Sequence, residues 1–320
     1  MTNGYLKAKW EWLKNVFRFT YSLPFVLASV TGVSIAYMYQ NDLMVGLFIV
    51  LDVFILSLFV NLSNDYFDHK SGADSRRFFS SNKEFEKKAR EILNPKLYWS
   101  GNAFDLGIIT ESQGKFIMAM LASFAILLSI PIIIKGGIIV IVLGLVAFFL
   151  SYFYTAPPLN LGARGLGEVD VFLSFFMISF FSFFVLTSSL SEDAFLVAIS
   201  IGLLMMTMRI VDEMNGYEAH VNAGERDLCV RLGLKRTSKI VILMMVAVYC
   251  TSIFLAIHIH LIYTITLITI PISVKIAKTL FDRNDPYRFV RPALFMFVLS
   301  FSYQLLLIIA SIARIFLTSG

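Results

Sequence analysis

Long apolar stretches separated by short polar turns run from about residue 20 almost to the C-terminus. A helix needs about 20 mainly apolar residues to cross the hydrocarbon core of a bilayer, and most of these stretches approach that length. The pattern therefore predicts an all-α, polytopic membrane bundle that forms a single domain over residues 1–320. The nine predicted transmembrane helices cover residues 22–40, 44–66, 116–134, 136–154, 166–189, 193–213, 238–257, 259–278 and 292–318.

Two segments outside the predicted transmembrane helices are long enough to form elements of their own. Residues 1–20 are basic and aromatic, and they lack the short apolar core and cleavage site of a signal peptide. We expect them to form an interfacial helix that remains on the mature protein. Residues 67–115 make the longest polar break, where we expect a cytoplasmic loop that acts either as a lid or as a solvated linker.

The positions of the lysines and arginines predict which side of the membrane each loop faces. Of the 27 Lys and Arg residues, only Lys135 and Arg314 fall on one side of the nine-helix arrangement. Because positively charged residues concentrate in cytoplasmic loops, we expect the N-terminus and the long polar loops in the cytoplasm. Such a face suits a phosphate-bearing substrate that is made in the cytosol.

The composition supports an integral membrane protein. The chain is 58% hydrophobic and 15% charged, whereas a soluble domain has about 25% charged residues. The net charge of +5 follows from the loop bias, so we expect no nucleic acid as a partner. Cys229 and Cys250 lack metal-ligand spacing and suggest no disulfide framework. The sequence leaves protein partners open.

Polar and acidic residues interrupt the second predicted helix at its C-terminal end. Asn61, Asn64, Asp65 and Asp68 lie in its last two turns, where ionisable groups are costly and point to function. Asp74 follows a Lys-Ser-Gly break that lets the chain turn this carboxylate back. Carboxylate and amide oxygens bind Mg²⁺, which in turn binds phosphate oxygens. The cluster predicts a magnesium site for a diphosphate; the alternative is a helix end that these residues only cap and solvate.

The run from Asn64 to Asp74 resembles the NDxxDxxxxxD motif of the UbiA superfamily of membrane prenyltransferases, and most of all the branch that prenylates dihydroxynaphthoate on the way to menaquinone. The resemblance implies a UbiA-type bundle and Mg²⁺-dependent transfer of a polyprenyl group from its diphosphate to an aromatic acceptor. It also implies that the donor-side metal ligands are Asn64, Asp65, Asp68 and Asp74.

Two further segments resemble the same branch, in the expected order. The run YTAPPL that begins at Tyr154, and the run RGLGE that begins at Arg164, resemble its YSxPPL…RGLGE segment. The stretch that begins at Asp212 resembles its second acidic motif, but Gly216 and His220 replace two aspartates. An imidazole at position 220 could accept a proton, orient a phosphate or bind a softer metal. The alternative is a relaxed position in a paralogue with altered activity.

The resemblance assigns further roles to individual side chains. The expected catalytic residues are Asp68, Asp74, Asp212 and Glu218, and Asp212 is also an expected metal ligand. The expected substrate-binding residues are Arg18, Asn61, Lys70, Tyr154, Arg164, Glu213, His220 and Arg226. For Arg18, a topology anchor is the alternative. Two alternatives stay open for the whole chain: a relative that binds isoprenoid or quinone without transferring it, and a prenyltransferase with a non-naphthoate acceptor.

Overall fold

The computed structural model describes residues 2–40, 42–72, 83–93 and 102–318. All regular secondary structure in these residues is helical, as the hydropathy pattern predicts. The α-helices are α1 Thr2–Phe17, α2 Phe19–Ala36, α3 Leu43–Ser71, α4 Lys83–Ile92, α5 Glu111–Gly136, α6 Ile138–Phe153, α7 Gly167–Thr187, α8 Glu192–Asn215, α9 Tyr217–Ala223, α10 Leu228–Leu232, α11 Leu234–His258, α12 Ile270–Phe281 and α13 Arg291–Thr318. A π-helical turn, Gly162–Leu166, precedes α7, and a 3₁₀ helix, Leu261–Thr269, precedes α12.

Eight helices in the described part of the chain are long and apolar enough to cross a membrane. Two of them are composite, because the π turn continues into α7 and the 3₁₀ helix continues into α12. The structure differs from the nine predicted spans at 136–154, where α6 has only 16 residues. At 1.5 Å per residue α6 is about 24 Å long, whereas the hydrocarbon core is about 30 Å thick. The polytopic all-α class is nevertheless confirmed.

The core of the bundle lies around α8, which packs against α2, α7, α11 and α13. Glycines allow the closest approaches between these helices. A Cβ added at Gly32 of α2 would lie 2.0 Å from the carbonyl oxygen of Ser179 in α7. One added at Gly202 of α8 would lie 2.9 Å from Phe172 in α7. Small residues at such crossings let two helix backbones pack without a side chain between them.

The C-terminal ends of α3 and α8 hold most of the polar residues singled out in the sequence. α3 continues past the predicted end at residue 66 and stops at Gly72, whose φ of 68° is the left-handed conformation that glycine favours. α8 ends at Asn215, and the short helices α9 and α10 follow. Gly224, with a φ of 74°, reverses the chain between those two helices. The polar residues after α8 are thereby folded back against the bundle.

Candidate active site

A cavity of about 220 Å³ lies between α2, α3, α7 and α8. Its apolar lining consists of Pro24, Phe25, Val60, Val171, Phe175, Met205, Met208 and Phe297. Its polar lining consists of Thr20, Tyr21, Asn61, Asn64, Ser151, Tyr154, Asp170, Ser174, Arg209 and Asp212. Apolar walls with a few converging polar groups are typical of small-molecule sites. The lining suits a ligand that has both an apolar chain and a charged head.

Two asparagines from the first motif line this cavity. Asn61 and Asn64 are three residues apart on α3, a spacing that places both on one face of the helix. The side-chain amide of Asn61 donates to Ser22 Oγ at 3.2 Å. The side-chain oxygen of Asn64 accepts a hydrogen bond from Thr155 Oγ1 at 2.7 Å. These bonds orient both amides, and the second one links α3 to the segment that follows α6.

Asp65 is buried outside the cavity lining, where it forms an ion pair with Arg18. The guanidinium of Arg18 also lies over the ring of Tyr21, 4.1 Å from its centre. Burial by itself would lower the pKa of Arg18, but the charge of Asp65 and the neighbouring Tyr21 raise it above its usual range. The amide of Asn102 donates to the backbone carbonyl of Asp65 at 2.7 Å. Two predicted site residues, Arg18 and Asp65, therefore bind each other.

Asp68 and Lys70 follow in the first motif and lie in the last turn of α3. Asp68 is partly buried and is not part of the cavity lining. Lys70 is exposed, and its ammonium donates to the hydroxyl of Tyr66 at 3.4 Å. Asp74 lies outside the described residues. The expected convergence of Asp68 and Asp74 on one metal ion stays a prediction.

The end of α8 contributes a carboxylate and a cation to the lining of the cavity. Asp212 and Arg209 both line it, and they lie three residues apart on α8. Arg209 Nε is 3.1 Å from a carboxylate oxygen of Glu213, which is completely buried. Glu213, an expected substrate contact, is thus directed away from the cavity toward an ion pair within its own helix.

Three predicted substrate or catalytic residues lie on the exposed surface near this end of the bundle. Arg164, Glu218 and Arg226 are all exposed, and none lines the cavity. The backbone N–H of Arg226 donates to the carbonyl of Ala163 at 2.9 Å, which ties the loop after α9 to the π turn. The contact is close because Gly165 has no side chain: a Cβ there would lie 2.4 Å from the Arg226 carbonyl oxygen.

His220 is also turned away from the cavity. Its Nδ1 lies 2.5 Å from an Asp227 carboxylate oxygen. Its Nε2 would lie 2.7 Å from a Cβ at position 216, so the ring occupies the space that a side chain there would need. Although burial alone would raise it, hydrogen bonds from His220 and from the N–H of Val230 hold the pKa of Asp227 below its usual value. Gly216 and His220 therefore depart from the motif together, because one makes room for the other.

Two charged residues of the cavity wall, Asp170 and Arg209, were not predicted as site residues from the sequence. Asp170 is 6% exposed, and its Oδ1 has no hydrogen-bond partner among the described residues. Both residues lie inside helices that are apolar enough to span a membrane, and an ionisable group at such a position is a functional candidate. That signal was available in the sequence.

The oxygen atoms on the cavity wall fit the ligand preference of Mg²⁺. This ion binds carboxylate and amide oxygens and keeps positions open for phosphate. Asn64, Asp170 and Asp212 supply such oxygens from three different helices. The Asp170 oxygen without a hydrogen bond is the strongest sign that the wall is built for a cation or a hydrogen-bond donor.

Comparison with known families identifies the chain. The model of the UbiA prenyltransferase family matches residues 104–310, more than half of the sequence. The chain belongs to the UbiA prenyltransferase family and is a membrane prenyltransferase. The match begins after the Asn64–Asp74 cluster, so it is independent of the motif that first suggested the resemblance. The predicted family and enzyme class are confirmed.

Individual relatives and solved structures agree with this assignment. The chain is 28% identical to the 1,4-dihydroxy-2-naphthoate octaprenyltransferase of Haemophilus influenzae over 239 residues, which are 73% of this chain and 71% of that protein. It is 27% identical to the 2-carboxy-1,4-naphthoquinone phytyltransferase of Synechocystis sp. over 206 residues, 62% of this chain and 60% of that protein. A UbiA homolog from Archaeoglobus fulgidus bound to GPP and Mg²⁺ matches with a TM-score of 0.64 at 16% identity, covering 93% of this chain and 99% of that one. The apo UbiA homolog from Aeropyrum pernix K1 gives a TM-score of 0.63 at 11% identity, covering 93% of this chain and 98% of that one.

Proposed function

We propose that this enzyme transfers a polyprenyl group from a prenyl diphosphate to an aromatic quinone precursor within the membrane, in a Mg²⁺-dependent reaction. The observation that supports this most is the cavity between membrane-spanning helices, which both Asn64 of α3 and Asp212 of α8 line. Two relatives are named for naphthoate or naphthoquinone acceptors, which favours an aromatic acceptor here. The similar structure bound to GPP and Mg²⁺ favours the donor and the metal.

The polar wall of the cavity would receive the diphosphate. Asn64, Asp170 and Asp212 are the proposed Mg²⁺ ligands, and bound Mg²⁺ would neutralise the leaving diphosphate. Arg209 lies on the same wall and presents a cation to the negative charge that develops as the diphosphate departs. Asp68 and Asp74 stay in the proposal as further ligands on the strength of the motif.

The rest of the cavity would guide the electrophile and the acceptor. Loss of diphosphate leaves an allylic cation, a ring carbon of the acceptor attacks it, and a base removes the released proton. The ring of Tyr154 lies 5.8 Å from the Arg209 guanidinium carbon, and an aromatic face of this kind stabilises a cation. Asp170 and Asp212 lie on the wall, and a carboxylate oxygen of either one that does not hold Mg²⁺ can accept the proton. Phe25 and Phe175, whose ring centres lie 4.6 Å apart, exclude the water that would otherwise trap the cation.

The test is a transfer assay with purified protein in detergent. Prenyl diphosphates of several lengths and 1,4-dihydroxy-2-naphthoate are supplied with and without Mg²⁺, and both diphosphate release and prenylated product are measured. We expect product only with Mg²⁺, and a loss of about 100-fold for Asp212→Asn or Asn64→Ala. Asp282→Asn removes an exposed carboxylate outside the cavity and serves as the control.

A second outcome of the same assay would replace the proposal. If the protein binds prenyl diphosphate but releases no diphosphate with any aromatic acceptor, it is a binder of isoprenoids rather than a transferase. If product forms only with acceptors that are not naphthoates, the transferase class stands and the acceptor in the proposal is wrong.

We also propose that the N-terminus and the ends of α3 and α8 face the cytoplasm. The excess of Lys and Arg on that side supports this orientation. Glu218→Cys and Leu190→Cys place thiols at exposed positions beyond opposite ends of α8. A membrane-impermeant maleimide added to intact cells should label only the Leu190→Cys protein. Labelling of the Glu218→Cys protein instead would reverse the topology.

A further inference from the structure

A buried histidine and two buried carboxylates meet beside the substrate cavity. His220 of α9 is 6% exposed, and Glu225 and Asp227, just before α10, are 7% and 0% exposed. One side-chain nitrogen or oxygen from each residue lies within 4.8 Å of the other two. None of the three residues lines the cavity. The cluster is therefore a separate polar site inside the protein.

The backbone between α9 and α10 holds the three groups together. Gly224 takes the left-handed conformation, and the N–H of Glu225 donates to the carbonyl of His220 at 3.0 Å. One oxygen of Asp227 caps α10 by accepting the N–H of Val230 at 2.8 Å. Its other oxygen lies 2.5 Å from His220 Nδ1, and a Glu225 oxygen lies 3.6 Å from the same nitrogen. The turn at Gly224 and these hydrogen bonds thus hold three potential metal ligands close together.

Burial of this many acidic groups favours a cation at that point. Glu213 is also completely buried and lies close enough to Asp227 and Glu168 to interact with both electrostatically. Arg209 pairs with Glu213 at 3.1 Å and also interacts electrostatically with Glu225, so its one positive charge is shared between several buried carboxylates. Buried carboxylates are stable only when they are paired or coordinate a metal. A divalent ion at His220 would offset the charge of both Glu225 and Asp227.

We propose that His220, Glu225 and Asp227 bind a divalent transition metal ion, for which Zn²⁺ is the best match, at a site separate from the substrate cavity. Zn²⁺ binds imidazole nitrogen and carboxylate oxygen, whereas Mg²⁺ and Ca²⁺ prefer oxygen ligands throughout. A tetrahedral ion with bonds of about 2.0–2.1 Å spaces its ligand atoms about 3.4 Å apart. The separations of 2.5 and 3.6 Å from Nδ1 lie on either side of that value, and all three ligand atoms lie within 4.8 Å of one another.

The ion would act as a clamp on the turn that follows α8. It would join α9 to the start of α10, and α8 with Asp212 on the cavity wall lies directly before that turn. Binding at this site does not depend on the proposed prenyl transfer, because the three ligands do not face the substrate cavity. The metal content can therefore be measured whether or not the transfer assay succeeds.

The test uses the full-length protein in detergent, loaded with Zn²⁺, desalted and analysed by inductively coupled plasma mass spectrometry. We expect one equivalent more in the wild type than in Asp227→Asn or Glu225→Gln, whose zinc affinity should fall at least about tenfold. Asp282→Asn and His258→Gln remove an exposed carboxylate and an exposed imidazole elsewhere, and both should keep the wild-type content. Equal zinc content in the wild type and in both cluster variants would overturn the proposal.

A measurement on the wild type alone covers the case in which the variants do not fold. Anomalous diffraction at the zinc edge from zinc-loaded crystals should give a peak between His220, Glu225 and Asp227. A peak only at another place, or a protein that retains no zinc after desalting, would overturn the proposal. The cluster would then be an imidazole hydrogen-bonded to Asp227 without an ion.

Discussion

Adding one methyl group at Gly216 should destabilise the protein because the ring of His220 already fills that space. A Cβ at position 216 would lie 2.7 Å from His220 Nε2 and 3.1 Å from Cδ2. The ring cannot swing away freely, since its Nδ1 is held by Asp227 at 2.5 Å. The side chain that must move is therefore one whose ring is already held by a contact at Nδ1.

The magnitude follows from two opposing contributions to the free energy of unfolding. Gly216 has φ −91° and ψ 8°, a conformation open to alanine. Replacing glycine at such a position stabilises a protein by about 0.4–1 kcal/mol through the unfolded state. Overpacking by one methyl group costs about 1–3 kcal/mol. We expect Gly216→Ala to lower the free energy of unfolding by about 1–2 kcal/mol in total.

A double-mutant cycle with His220→Asn isolates the contact. Asparagine keeps a polar group near the position of Nδ1, which can still meet Asp227, and it lacks Nε2. In that background Gly216→Ala should stabilise by about 0.4–1 kcal/mol, so the coupling between the two positions equals the overpacking energy of about 1–3 kcal/mol. Unfolding is followed by tryptophan fluorescence in mixtures of dodecyl maltoside and sodium dodecyl sulfate. Gly144→Ala in α6 is the control, because nothing lies within 4 Å of a Cβ there.

Two results would refute this reasoning. One is a Gly216→Ala protein as stable as the Gly144→Ala protein. The other is a destabilisation that persists unchanged with His220→Asn. In either case the loss of the motif aspartate at position 216 would have no steric connection to the histidine at position 220.

Three other predictions concern the cavity wall, the ion pair behind it and a buried thiol. Asp170→Asn should lower kcat by about 100-fold in the transfer assay without changing the unfolding transition, because it removes a buried carboxylate from the wall. An unchanged kcat would exclude Asp170 from the reaction. Arg18→Gln should lower the free energy of unfolding by about 3 kcal/mol in the detergent titration, since it leaves Asp65 buried without the Arg18 cation. A further Asp65→Asn change should restore most of the loss, and no recovery would show that the pairing is not the cause. Cys229 is fully buried, and burial raises its pKa to about 12. Iodoacetamide at pH 8 should therefore label it only after denaturation in sodium dodecyl sulfate, and labelling of the folded protein, detected by mass spectrometry, would contradict its burial.

Several residues of the candidate site were found from the sequence because local pattern is enough to find them. Asn61 and Asn64 lie on one face of a helix whose period is known, and both line the cavity. Tyr154 and Asp212 follow from motifs at fixed distances along the chain, and both line it as well. Polar residues at the end of an apolar helix have few structural uses in a membrane, so their presence is informative.

Other parts of the site depend on which side-chain contacts form, whether the partners are far apart in the sequence or on the same helix. Asp65 is next to Asn64, but its side chain points to Arg18, 47 residues earlier, and leaves the cavity. Glu213 follows Asp212 directly and turns to Arg209 instead of the substrate space. Successive residues of a helix point in directions about 100° apart, so a motif names the helix but not which of its neighbours face the ligand.

The amino-acid sequence by itself determined the class of this protein: an all-α membrane bundle of the prenyltransferase type, with polar chemistry at the ends of α3 and α8. Hydropathy and helical period are local properties, so a single sequence is sufficient to predict them. Only the tertiary structure decided that Asp170 shares a cavity with Asn64 and Asp212, and that His220 turns toward Glu225 and Asp227. These arrangements depend on how helices cross and how side chains exclude one another. Close-packed glycine contacts such as Gly32 of α2 with Ser179 of α7 join residues far apart in the sequence, and no local pattern contains them.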